Sequence, residues 1–135
     1  MKSIVSSRTA LVAALTLAFA VVMYGCGKTD EAGTSRTLKI YVSQPMKGDR
    51  GGEDMLRAVR IANEDEGGRV DSAKIEIVGL NDSDESGAWV PALVRRNARM
   101  AAADEDAIAY IGDFDSGATE LAMPILNRAG MLQVS

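Results

Sequence analysis

The feature that most constrains this chain is a repeated alternation of two patterns. Short, largely apolar runs at Leu38 to Ser43, Lys74 to Leu80, Ala107 to Ile111 and Met131 to Val134 alternate with longer stretches of helical periodicity. Runs this short, rich in β-branched residues and bounded by turn residues, suit strands covered on both faces. The pattern predicts an α/β fold: a Rossmann-like parallel sheet in β-α-β-α-β-α-β order, with helices on its faces and right-handed crossovers.

The helices have their own signals. Glu53 to Glu66 repeats Met55, Ala58, Val59 and Ala62 on one face, with Glu53 and Asp54 in the first turn, where the helix dipole favours negative charge. Gly67-Gly68 ends it, because glycine accepts the left-handed conformation of a C-terminal cap. Trp89 to Ala103 forms a second helix with Pro91 near its start and Trp89, Leu93, Met100 and Ala101 on the buried side. Ser116 to Arg128 forms a third.

Ahead of this domain lies a different kind of segment. Lys2 and Arg8 precede an apolar run, Ala10 to Tyr24, that is short for a spanning helix and suits the core of a signal peptide. The run ends in Met23-Tyr24-Gly25-Cys26, which resembles a bacterial lipoprotein signal with Cys26, the chain's single cysteine, as the lipidated residue. The expected organisation is a lipoprotein signal peptide over 1–25, a flexible tether over 26–37 (small and polar residues), and a domain over 38–135. Acyl chains on Cys26 would hold the protein to a membrane without a spanning helix.

Composition removes several chemistries. Of the 15 basic residues, Lys2 and Arg8 leave with the signal, so 13 face 19 acidic ones, a net charge of −6. No basic stripe exists to displace counterions from phosphates, which argues against a nucleic-acid partner. The chain has no histidine, so imidazole catalysis and His-ligated metal sites are excluded within it. One cysteine makes neither an internal disulfide nor a thiolate zinc site.

Ligands of open parallel sheets sit beyond the carboxyl ends of the strands, which here means the loops Ser43–Gly52, Asn81–Gly87 and Gly112–Ser116. Ser116-Gly117-Ala118-Thr119 forms the first turn of a helix, whose free N–H groups and dipole favour an anion. Ser116 can add a hydroxyl donor, and Gly117 allows close approach to the backbone. Equally, Ser116 or Asp115 can cap its own helix. The acidic loop Asn81–Gly87 lacks the ligand spacing of an EF-hand; it resembles the acidic pocket of a phospho-acceptor domain, where carboxylates gather at strand ends, and its plainer reading is a solvated loop. Lys47 to Gly52 matches neither dinucleotide nor P-loop patterns, and Ser116 has neither a GxSxG context nor a histidine base.

Taken together, LKIYVSQPMKG, KIEIVGLNDSD and NARMAAADEDAIAYIGDFDSGATELAMPILNRAGMLQVS resemble the N-terminal lobe of type I periplasmic binding proteins. Within these, the match is to the branched-chain amino acid (Leu/Ile/Val) binding lipoproteins of ABC importers, over about Leu38 to Ser135. The resemblance implies an extracytoplasmic, membrane-anchored solute-binding protein. It would bind an amino acid or similar small carboxylate, need no cofactor, catalyse nothing and dock on an ABC transporter membrane permease. It assigns Ser116, with Gly117, Ala118 and Thr119, to the ligand carboxylate, and sets Met46 and Arg50 in a second loop beside the ligand. Family members have two lobes that close by a hinge, so the chain reads as a partial N-terminal lobe whose second lobe is absent. The alternatives are a ligand-sensing ectodomain of the same fold and a non-functional half-lobe remnant.

Overall fold

A computed structural model describes residues 36–48 and 51–135. The signal peptide over 1–25, Cys26, nearly all of the tether and Arg50 lie outside the described residues. The elements are β1 (Thr37–Gln44), α1 (Gly51–Asp65), β2 (Arg69–Val70), β3 (Ala73–Asn81), α2 (Pro91–Ala103), β4 (Ala107–Ile111), α3 (Ser116–Arg128) and β5 (Leu132–Val134). The expected α/β architecture is present, with one addition. β2 pairs antiparallel with β3 as a small edge hairpin, giving a five-stranded, mostly parallel sheet in the order β2-β3-β1-β4-β5. Its two residues are exposed and carry no apolar alternation that could announce a strand.

The central strand, β1, pairs in parallel with β3 on one side and β4 on the other. Alternation of side chains assigns the helices to opposite faces. Tyr41 packs in one cluster with Val94, Ala98 and Ala101 of α2 and Ala118, Ala122 and Leu126 of α3. Val78 and Leu80 of β3 pack against that cluster, whereas Gly79 between them faces Leu56 of α1. The alanines along α2 and α3 let those two helices approach closely, and Tyr110, Val94 and Leu126 are fully buried between them and the sheet.

Two faces differ from expectation. In α1 the buried residues are Gly52 and Leu56, with Val59 half-buried, while Met55 is 39% exposed and Ala58 and Ala62 face solvent. The contact stripe is rotated by about one position because Gly79, having no side chain, opens a slot that Leu56 fills. In α2 the inward residues are Val94, Asn97, Ala98 and Ala101, Leu93 is half-buried, and Met100 is exposed. That helix begins at Pro91, because Trp89 is extended and bridges to Ser83. Gly67 and Gly68 end α1 with φ of 83° and 64°, and the Gly68 N–H donates to Asn63 O at 2.7 Å.

At the amino-terminal end of the parallel strands, Asp104 gathers β1 onto the α2–β4 turn. Lys39 Nζ donates to Asp104 Oδ2 at 2.8 Å and Tyr41 Oη to the same oxygen at 2.7 Å. The Asp106 N–H donates to Oδ1 at 2.9 Å. These bonds, that from Lys39 first, hold the Asp104 carboxyl down at about 2. A depressed folded value means that its stabilisation is present above the ordinary carboxylate range and is lost as pH falls through about 2. Asp104→Asn is therefore expected to be less stable than the parent at neutral pH, with the gap closing in acid. Urea unfolding of both proteins from pH 6 down to pH 2 checks this, and a gap that stays constant contradicts it.

Candidate functional site

The chain runs from β1 outward to β3, then returns past β1 to β4 on the other side. The reversal makes the C-terminal ends of β1 and β4 the switch point, where crevices form in open α/β sheets. The three loops singled out from the sequence meet at this edge.

The loop after β1 is tied to the loop after β3 by side chains of the latter. The Met46 N–H donates to Asn81 Oδ1 at 2.9 Å, and the Lys47 N–H to Ser83 Oγ at 3.1 Å. Asn81 Nδ2 donates to Ser83 O at 2.7 Å, while Lys47 and Glu85 form an ion pair. Asp84 closes its own turn, accepting from the Ser86 N–H and hydroxyl and from the Ala88 N–H. The expectation of a solvated loop holds for Asp84, Glu85 and Ser86, which are exposed, and fails at its start. Asp82 and Ser83 are only 1% exposed, because Asn81, Ser83 and Trp89 fold that part of the segment back on the sheet. Among the described residues no group of three acidic, cysteine or histidine side chains is arranged to hold a metal ion.

The third loop leads into α3. Asp115 occupies the N-cap position with extended backbone and makes no side-chain capping bond. Its carboxylate therefore does not close off the first-turn N–H groups. Ser116 is exposed, with its hydroxyl at the helix start. Its three companions differ. Ala118 is fully buried in the core, so only its backbone can reach a ligand. Thr119 is committed internally: its N–H donates to Asp115 O at 2.9 Å and its Oγ1 to Asp113 O at 3.1 Å. At Gly117 the space a Cβ would occupy lies 3.1 Å from Trp89 Cζ2, so the glycine admits the indole over the first turn. Met46 is half-buried and touches this edge through its backbone.

Beside Ser116 is a cavity of about 300 Å³ lined by Asp113, Phe114, Thr119, Glu120 and Met123 among others. Phe114 is 63% exposed and Met123 43% exposed, which gives the opening apolar edges. A second cavity of about 220 Å³ borders it on the α1 side, between Gln44, Met55, Ile111 and Val134.

Beneath the turn is a polar cluster of which the sequence suggests only Asp82, as a carboxylate at a strand end. Asp113 is 2% exposed, and Tyr110 Oη donates to its Oδ1 at 3.1 Å. The Ser43 hydroxyl and the Asp82 carboxyl are buried beside Asp113 and act electrostatically on it. Asn97 Nδ2 donates to Ser43 Oγ and to Asn81 O, each at 3.0 Å. Burial first, and then the negative charge of Asp113, push Asp82 up to about 7. Asp113 is also raised by burial, which outweighs the lowering influence of the Ser43 hydroxyl and of the hydrogen bond it accepts from Tyr110. The signal available in the sequence was the position of these residues at strand ends, but only their partners bury them.

No protein-family model and no curated protein matches the sequence. Solved structures do. The leucine binding protein LivK of Thermotoga maritima MSB8 is 26% identical, with a TM-score of 0.59, over 71% of this chain and 26% of that one. An ABC transporter substrate-binding protein of Desulfitobacterium hafniense in complex with Leu is 20% identical, with a TM-score of 0.59, over 73% of this chain and 28% of that one. A solute binding protein of an ABC transporter from Rhodopseudomonas palustris BisB5, in complex with 3,4-dihydroxy benzoic acid, is 20% identical with a TM-score of 0.59. That match covers 72% of this chain and 26% of the other. The chain spans about a quarter of the length of these proteins. Its structural relatives are leucine-binding and other ABC substrate-binding proteins of the type I periplasmic binding family, and the described residues share their fold.

Proposed function

We propose that this chain is part of the extracytoplasmic solute-binding component of an ABC importer, and that its ligand is an amino acid of the branched-chain type or a similar small carboxylate. The observation that carries this reading is Ser116, an exposed hydroxyl on an uncapped helix N-terminus at the switch point of the sheet. Such a terminus receives a carboxylate through N–H groups and the helix dipole. An exposed acidic side chain, Glu120, borders the same cavity. It opposes a plain anion and favours a ligand that carries an ammonium group beside its carboxylate. The apolar rim of Phe114 and Met123 suits an aliphatic side chain.

In this reading residues 38–135 are part of an N-terminal lobe, with Met46 and Arg50 on the second ligand loop. Residues 1–25 are a signal peptide, 26–37 a tether, and a lipid on Cys26 holds the protein beside its permease. No helix among the described residues is long and apolar enough to cross a membrane. The role assigned is binding and delivery rather than catalysis.

Calorimetry with leucine on the full-length protein tests the reading. Ser116→Ala is expected to weaken binding by about 1–3 kcal/mol, the range for a charged acceptor left short of a donor. Leucine should bind more tightly than 4-methylpentanoate, which lacks the ammonium group. Unchanged affinity in Ser116→Ala would remove Ser116 from the site, and tighter binding of the deaminated acid would remove the amino acid assignment.

A further inference from the structure

We propose that Asp82 and Asp113 form a buried acid pair sharing one proton, and that this pair positions the Gly112–Ser116 turn at the mouth of the cleft. Both side chains are almost wholly out of solvent, at 1% and 2% exposure. Asp82 Oδ1 and Asp113 Oδ2 are buried and have no hydrogen-bonding partner among the described residues when both groups are treated as carboxylates. A buried, unpaired carboxylate is costly, and two within contact of each other are more so. One proton between them relieves both: an acid donates, a carboxylate accepts, and a single net charge remains.

The surroundings decide where the charge sits. Asp113 accepts a hydrogen bond from Tyr110 Oη, whereas no side chain among the described residues donates to Asp82, so Asp113 holds the charge. Asp82 holds the proton, in keeping with its raised value of about 7. The other charged groups nearby do not neutralise the pair. Asp115, on the α3 side, adds negative potential. Lys47, after β1, is paired with Glu85, and Asp84 is bound within its own turn. Arg96 of α2 donates to Asn97 Oδ1 at 3.1 Å. Tyr110 of β4 is pushed up by burial and stays a neutral donor.

The pair joins two loops that the sheet alone leaves independent. Asp82 follows β3, whereas Asp113 begins the turn that ends in Ser116, and these strands are separated by β1. Losing the shared proton places two like charges in contact and pushes the turn outward. The consequence for ligand affinity rests on the cleft reading proposed above, but the pair itself does not.

The test uses the 135-residue chain and no ligand. Carbon-13 NMR follows the Asp82 and Asp113 carboxyls, and proton–nitrogen spectra follow the Ser116 and Gly117 amides, from pH 4.5 to 8.5. Asp82 should titrate near neutrality, and the two amides should shift with the same midpoint. In Asp82→Asn, whose amide keeps a donor and cannot ionise, the amide shifts should vanish. In urea the parent's unfolding constant should rise at least about tenfold between pH 5 and 8, whereas that of Asp82→Asn should stay flat. The proposal is overturned if both carboxyls titrate in the ordinary acid range, or if the Ser116 amide ignores the Asp82 titration. It is overturned too if Asp82→Asn shows the parent's decline, or if calcium stabilises the parent but not the variant, since a metal would then replace the proton.

Discussion

Gly112→Ala is expected to destabilise the chain by roughly 2–6 kcal/mol, enough to remove most of the folded population of a small domain. Two costs combine. Gly112 has φ of 129°, a conformation that side chains with a Cβ rarely adopt. An added Cβ would also overlap the carbonyl oxygen of Ser43. That oxygen belongs to the central strand, bonded on both sides, and has no rotamer through which to retreat. Nor can Gly112 shift. Its N–H donates to Val134 O at 2.8 Å, and its carbonyl accepts from Gln133 Nε2 at 2.9 Å. Gly130→Ala is the control, since it has φ of 67° but nothing within 4 Å of the added methyl. It should cost only about 1–2 kcal/mol, for the left-handed backbone alone. Urea unfolding of both variants separates the contributions, and equal losses would show that the Ser43 contact yields.

The residues that could be placed from sequence are those whose environment is set by near neighbours. β4 and α3 occupy the expected residues because an apolar run, a turn and an uncharged first helical turn follow one another without ambiguity. Gly67 and Gly68 stop α1 through their own backbone preference. Where the deciding partner is remote in sequence, the local pattern misleads. Met55 and Leu56 are both apolar and adjacent, and the choice between them is made by Gly79, far along the chain. Asp82 and Asp113 look like solvent-facing loop residues because nothing near them announces burial. Asp113 is held by Tyr110, and Asp82 is buried at the end of β3, with β1 between their strands. The same holds for the site. The helix start at Ser116 was legible, since dipole and free N–H groups are local properties. The withdrawal of Thr119 into the turn and the seating of Trp89 on Gly117 were not.

Asn97→Leu is the second change with a large expected effect, about 2–6 kcal/mol of folding stability, from two buried acceptors each losing a donor at ~1–3 kcal/mol. The side chain is fully buried, and its Nδ2 joins the ends of two strands by donating to Ser43 Oγ of β1 and Asn81 O of β3. Leucine fills similar space, so the loss comes from polarity rather than from a cavity. The carbonyl of Asn97 adds a lesser contribution, because Arg96 reaches it from the partly exposed side and can turn to water. The effect should also travel. The Ser43 hydroxyl lowers the Asp113 value, and once freed from Asn97 it has no fixed orientation toward that carboxylate. Asn97→Leu should therefore raise the Asp113 titration further as well as lower stability. Asn97→Asp, which keeps the shape and removes the donors, should lose at least as much at neutral pH and recover part of it in acid, where a protonated carboxyl can donate to Ser43. Urea unfolding at pH 7 and pH 4.5 reads both effects. Should Asn97→Leu unfold at the parent's midpoint, Asn97 would be a spectator and the strand ends would be held by the sheet alone.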